Sequence, residues 1–255
     1  MQIAVLVKQT FDTEEKLALA GGRVAEDGVK RVINPYDEYA VEEAIRLKER
    51  HGGQVTVYSV GPEQSAEALR TALAMGADEA VLIQGDRIGE DEYAVSRVLA
   101  ACLEREPAEL ILAGYFSVDN GAGQVAVRTA RLLGLPHVSA VTSLEVSQDR
   151  AVATRDAEGD TETVEVVLPA LLTAQQGLNE PRYPSLPGIM KAKKKPFRRY
   201  TLEDLGLSEA DVRAKTERIS LSLPSARRAG RLVEGTPAEQ AARLVELLRG
   251  EAKAI

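Results

Sequence analysis

The stretch Leu110-Ile111-Leu112-Ala113-Gly114-Tyr115-Phe116-Ser117-Val118-Asp119-Asn120-Gly121-Ala122-Gly123-Gln124-Val125 reads as strand, turn and helix start in immediate succession. Leu110 to Ala113 is a short apolar run of the kind buried on both faces in a parallel sheet. The small residues after it lead into a helix over Gly121 to Leu133, which Gly134 closes. The same unit recurs toward the N-terminus. Strands are expected within Met1 to Val7, over Gln54 to Val60 and over Glu79 to Ile83. Helices are expected from Asn34 to the His51-Gly52-Gly53 stop, over Gln64 to Met75 with Gly76 as C-cap, and over Asp91 to Arg105. Between the first strand and the first helix, Phe11 to Arg31 is a polar excursion with hairpin signals at Gly21-Gly22 and Asp27-Gly28. Strand and helix alternating in this way specify an α/β fold, a doubly wound parallel sheet joined by right-handed crossovers.

After Pro136 the rhythm changes. Val138 to Val146, Ala151 to Arg155 and Thr161 to Leu168 are strand-like pieces joined by polar turns, so antiparallel strands are expected to extend the sheet. From Pro196 onward no strand and helix alternation remains, although Leu202 to Leu205 and Pro237 to Arg249 read as helical and Leu221 to Arg231 as irregular. The expected division is therefore a nucleotide-binding α/β domain over 1–196 and a C-terminal arm over 197–255 that packs on a partner subunit. Coverage of one face of the same domain is the alternative.

A parallel sheet binds ligands outside the carboxyl ends of its strands. Two segments lie there. In the turn from Gly114 to Val125, exposed amides at a helix start and glycines that permit close approach suit an anion, most naturally a phosphate. No Gly-Lys-Ser/Thr follows, so it is not a Walker A loop, and an ordinary strand-to-helix turn leaves a similar pattern. The second segment is Asn34-Pro35-Tyr36, where Asn34 also reads as a plain N-cap.

Asn179 to Phe197 has a different character. Four prolines exclude a long helix or a ladder, yet Leu186, Ile189 and Met190 stand at near-helical spacing before a basic run. Apolar knobs beside charge on a loop point to protein docking, the alternative being that Leu186 folds back onto its own core.

The 255 residues carry a net charge of -7 with 44% apolar residues, which supports a sizeable core and argues against a general nucleic-acid binder. The single Cys102 reads as a core thiol, and His51 and His137 have no ligand-spaced neighbours, so no metal is expected. No leader, transit peptide or membrane-length run is visible. The expectation is a chain that stays where it is made, in the cytoplasm, or in the mitochondrial matrix if the source is eukaryotic.

The run Asn179-Glu180-Pro181-Arg182-Tyr183, followed by Leu186-Pro187-Gly188-Ile189-Met190-Lys191-Ala192-Lys193-Lys194-Lys195, resembles the signature of the small (beta) subunit of electron-transfer flavoproteins. The resemblance extends to Asn34 to Glu38, Ala40 to Ala44, Thr71 to Asp78 and the Asp119 turn. It implies an adenine nucleotide alpha hydrolase-like fold and an electron carrier without catalytic acid, base or nucleophile. It also implies a heterodimer with an alpha subunit that holds most of one FAD, and a structural AMP in this chain. AMP is then expected at Leu6, Asn34, Val60, Asp119, Asn120, Gly121, Ala122, Gly123, Gln124 and Val125, with Phe11, Thr13 and Tyr36 as a wall against the FAD. The implied partners are acyl-CoA and related dehydrogenases of fatty acid beta-oxidation, gripped by Tyr183, Leu186, Pro187, Ile189, Met190, Lys191, Lys193, Lys194 and Lys195, and a membrane-bound quinone oxidoreductase. In the Asp119 turn only Asp119 and Gln124 match residue for residue. A bifurcating subunit holding a second FAD and oxidising NADH, or a flavin-free nucleotide sensor, are the alternatives.

Overall fold

Residues Ile3, Val5 and Val7 face one apolar layer and Ala4 and Leu6 the other, the period of two that a strand buried on both sides requires. This strand, β1 (Gln2–Leu6), is central. The computed structural model describes residues 1–25, 28–89, 91–225 and 230–255. The remaining elements are β2 (Gln9–Phe11), β3 (Leu19–Ala20), β4 (Arg23–Val24), β5 (Arg31–Ile33), α1 (Pro35–His51), β6 (Gln54–Gly61), α2 (Ala66–Met75), β7 (Glu79–Gln84), α3 (Glu92–Arg105), β8 (Leu110–Gly114), α4 (Val125–Leu133), β9 (His137–Ser147), β10 (Arg150–Ala157), β11 (Asp160–Val167), β12 (Ala170–Ala174), α5 (Leu186–Ala192), β13 (Phe197–Tyr200) and α6 (Pro237–Gly250).

The main sheet has the order β11-β10-β9-β12-β8-β1-β6-β7-β13. Pairing is parallel from β9 through to β13, and β10 and β11 add antiparallel strands at one end. Helices α1 and α2 supply the layer with Val5 and Leu82, whereas α3 and α4 supply the layer with Leu6 and Val81 and take in Cys102. The doubly wound sheet with an antiparallel extension is therefore as expected.

Four features differ from the sequence reading or add to it. The hairpin at Gly21-Gly22 forms as β3 and β4, but the excursion is also pinned by β2 pairing with β5; Asp27 lies outside the described residues. Helix α4 begins at Val125 rather than Gly121, because Gly121 and Gly123 both adopt positive φ and hold the chain out of the helix. Strand β12 inserts between β8 and β9, parallel to both. Strand β13 pairs with β7, and Leu202, Leu205, Leu207 and Val212 beyond it are buried in the α3 layer.

The last observation moves the division of the chain. One compact unit spans 1–219 and a second spans 220–255, so the segment from 197 to 219 belongs with the sheet and not with an arm starting at 197. In the second unit α6 starts at a capping box formed by Thr236 and Glu239, and none of its residues is buried. Among the described residues no helix is long and apolar enough to cross a membrane.

Cutting at the two boundaries has different consequences. A chain ending at Ile219 keeps every buried residue of the sheet unit and should unfold cooperatively. A chain ending at Pro196 loses four buried apolar side chains, each contributing roughly 1.5–3 kcal/mol, which together rival the ~5–15 kcal/mol that holds a domain folded. Urea unfolding of the two truncations checks this, and equal midpoints would contradict it.

Candidate functional site

The exits of β1 and β8 are joined by one carboxylate. Asp37, in the first turn of α1 and 5% exposed, accepts from the Lys8 backbone N–H at 2.7 Å and from the Gly114 N–H at 3.0 Å. The Asn34 Nδ2 donates to it as well, at 3.0 Å. Burial pushes the Asp37 carboxyl up to about 7, and the N–H groups of Lys8, Asn34 and Gly114 pull the other way. Gly114 has no room for a side chain, since a Cβ would come within 2.3 Å of Asp37 Oδ1 and 2.8 Å of the Asp37 nitrogen.

Asn34 extends the clasp. Its Nδ2 also donates to the Phe116 carbonyl at 2.9 Å, and its Oδ1 accepts from the Val118 N–H at 3.2 Å. It stands at the N-cap position of α1 but makes no side-chain cap bond. Both ends of the amide thus hold the turn after β8, leaving the second lone pair of Oδ1 as the polar position on this side chain not engaged by these bonds. Lys8 Nζ, reaching from the end of β1, pairs with Asp119 at 2.6 Å. Ser117 Oγ and the Ala122 N–H then share Asn120 Oδ1, at 3.0 and 3.1 Å.

Above this frame opens a cavity of about 540 Å³ at the carboxyl ends of the strands. It is lined by Leu6, Asn34, Val60, Asp119, Asn120, Ala122, Gly123, Gln124 and Val125, so the structure gathers the expected nucleotide residues; only Gly121 stands outside the lining. Lys8, Arg31, Asp37, Tyr58 and Glu92 are among the other lining residues and were not anticipated. Lys8 and Asp37 follow a strand and open a helix, positions where the carboxyl-end rule points. On the same wall Gln9 Oε1 and Thr10 Oγ1 are buried without a partner in the structure. Helix α4 enters the cavity without a side-chain cap, Gln124 Oε1 accepting instead from Arg128 at 2.7 Å. Its first N–H groups are therefore not consumed by a cap.

Of the three residues expected as a wall against the FAD of the alpha subunit, one lines this cavity. Phe11 lines it under Arg31, whose guanidinium lies 5.0 Å from the ring centroid. Tyr36 is half-buried against Phe116, with centroids 4.3 Å apart, and Thr13 is exposed beyond β2.

The second feature is the loop from 179 to 196, held at both ends. Arg182 Nε donates to Glu42 at 2.8 Å and its Nη1 to Glu49 at 2.7 Å, while Asn179 Nδ2 bonds Tyr39 O and Glu43 on α1. At the other end Lys195 Nζ donates to the carbonyls of Leu73 at 2.8 Å and Ala77 at 2.5 Å, closing the last turn of α2. Between the clamps Ser185 caps α5, and Tyr183, Leu186, Ile189 and Met190 face outward. Leu186 is 73% exposed, which removes the alternative in which it folds onto its own core. Lys191, Lys193 and Lys194 are exposed as expected of docking cations, whereas Lys195 is committed to α2.

Comparison with known proteins decides between an unassigned α/β sheet and a defined family. The electron transfer flavoprotein domain matches residues 21–205. Along all of both chains, 257 aligned residues are 53% identical to the electron transfer flavoprotein subunit beta of Bacillus subtilis (strain 168). This chain belongs to the electron transfer flavoprotein beta-subunit family. It is also similar to the subunit beta of Bradyrhizobium diazoefficiens, 40% identical with 99% of each chain covered. The subunit beta of Homo sapiens is 39% identical over 92% of this chain and 94% of its own. The matched region of the flavoprotein domain takes in Asn34, Asp37 and Gly114 of the clasp, the Asp119 turn and the exposed loop.

The clasp generates a pH-dependent expectation. An Asp side chain titrates near 3.9 in an unfolded chain and at about 7 here, so the folded state retains the proton longer. Its favourable contribution is present below pH ~4 and is lost as pH rises toward 7. Asp37→Asn should abolish that slope. At neutral pH it should also cost about 1–3 kcal/mol, because an amide N–H then faces one of the buried N–H donors. Urea midpoints between pH 4 and 8 measure both effects, and an unchanged slope in the variant would contradict the assignment.

Proposed function

We propose that this chain is the beta subunit of a heterodimeric electron carrier. In this reading an alpha subunit holds most of one FAD, an adenosine monophosphate occupies the cavity at the carboxyl ends of the sheet, and flavin-dependent acyl-CoA and related dehydrogenases dock on the 179–196 loop. Electrons then leave toward a membrane-bound quinone oxidoreductase. The family supports the flavoprotein role, and the observation that carries the docking assignment is Leu186, exposed on a loop clamped at both ends.

The cavity fits a nucleotide. The uncapped start of α4 and the left-handed Gly123, whose Cβ would stand 3.4 Å from the Tyr115 carbonyl, suit a phosphate approaching the backbone. Leu6 and Val60 belong to the apolar part of the wall, on which an adenosine would lie. Flavin, when bound to the assembled protein, supplies the redox chemistry, and the chain supplies position and recognition. Nothing in this role needs a proton-transferring side chain. The buried Asp37 is engaged by the N–H groups of Lys8, Asn34 and Gly114, a structural use of a titratable group beside the proposed nucleotide.

Preorganisation favours the loop as a docking element. Pro184 and Pro187 flank Leu186, Ser185 Oγ accepts from the Gly188 N–H at 3.2 Å, and little freedom remains to be lost on binding. Leu186→Ala should weaken docking roughly ten- to a hundred-fold, as expected of an anchor in a partner pocket. Flavin spectrum and melting temperature should stay unchanged. The check is electron transfer from an acyl-CoA dehydrogenase to the heterodimer against concentration, and a normal concentration dependence would contradict the docking assignment.

A further inference from the structure

Beside the exposed knobs of the loop lies a hollow on the protein itself. A groove of about 280 Å³ runs between α2 and α5, lined by Arg70, Thr71, Ala74, Pro184, Ile189, Ala192 and Lys193. It lies where the two helices come close enough for backbone to meet backbone. Gly188 packs on the end of α2 so tightly that a Cβ there would stand 2.4 Å from the Ala74 carbonyl, and Ala192 is buried against the same helix. Small side chains draw the backbones together at Gly188 and Ala74, and the bulkier Ile189 and Pro184 wall what is left open.

Charge on the rim is one-sided. Arg70 and Lys193 line the groove, and Lys191 and Lys194 follow on the same loop, all four exposed. Among the described residues none of the four has a carboxylate within ion-pair distance, although Glu63, paired with Arg199, is near enough to feel Arg70; Arg182, Arg198 and Arg199 nearby are each neutralised by glutamates. An apolar floor under unpaired cations is complementary to an apolar side chain flanked by carboxylates.

We infer that the groove between α2 and α5 receives an apolar side chain from an acidic segment of the docking dehydrogenase, so that recognition is reciprocal: Leu186 enters the partner, and the partner enters beside Ile189. This rests on the loop being the docking site. Its own content is that Thr71 and Arg70 of α2, outside the loop, determine partner specificity. Thr71 is half-buried on the groove wall, and its hydroxyl bonds only to the Glu67 carbonyl one turn back, at 3.1 Å, so enlarging it fills the groove without disturbing the core.

The experiment uses the intact heterodimer and a purified acyl-CoA dehydrogenase reduced by its substrate, with flavin reduction followed against heterodimer concentration. Thr71→Phe should raise the half-saturating concentration about ten-fold, by the same factor in wild-type and Leu186→Ala backgrounds, since two separate contacts add. Arg70→Glu should lower the association rate several-fold at low salt and much less at high salt. Flavin absorbance and melting temperature should match the parent in both variants. A wild-type response from Thr71→Phe would overturn the inference. So would an effect that vanishes in the Leu186→Ala background, since the substitution would then act only by displacing α5. Loss of docking in Leu186→Ala with a normal Thr71→Phe leaves the loop reading intact and rejects the groove. A normal Leu186→Ala with an impaired Thr71→Phe rejects Leu186 as an anchor and overturns reciprocal recognition with it.

Discussion

Three N–H groups converge on the buried carboxylate of Asp37, and the geometry of the cavity follows from that convergence. The bonds from Lys8 and Gly114 fix how β1 and β8 leave the sheet, and the bond from Asn34 fixes the entry of α1. Asn34 passes the constraint on to Phe116 and Val118, and Lys8 passes it to Asp119. The turn before α4 is therefore held from two sides before any ligand enters. A buried carboxylate costs desolvation, which is why it is accompanied by so many donors and why Gly114 leaves it room.

The exposed loop obeys a related logic at lower cost. Its apolar tip would collapse onto the protein if the chain were free to do so. Arg182 in the grip of Glu42 and Glu49 at one end, and Lys195 on the α2 carbonyls at the other, keep the tip outward. Burial opposes ionisation of Glu42, and the guanidinium groups of Arg182 and Arg46 more than offset it, holding the carboxyl below its usual range. The family assignment and the geometry thus meet in the same segment: the residues that carry the resemblance divide into those that anchor the loop and those that present its surface.

Much of this was legible in the chain because apolar periodicity survives without context. The apolar run of β8 leading through a small-residue turn into α4, and the knobs at Leu186, Ile189 and Met190, are local patterns. What could not be read depends on distant partners. Strand β13, Phe-Arg-Arg-Tyr, looks like part of a basic tail until Glu79 and Glu106 meet Arg198 and Glu63 meets Arg199. Strand β12 is five buried residues with no alternation, and its place between β8 and β9 is a matter of topology. Lys195 reads as one of three equivalent lysines, and only the end of α2 distinguishes it. Asn34 has the right type for a cap, yet the turn after β8 claims its amide.

The account stands most directly on what the cavity holds in the assembled protein. Denaturing the purified heterodimer and counting released nucleotides should give one FAD and one AMP per heterodimer, and the isolated beta chain should retain little or no flavin. Two FAD per heterodimer with no AMP, or stoichiometric FAD on the isolated chain, would contradict it.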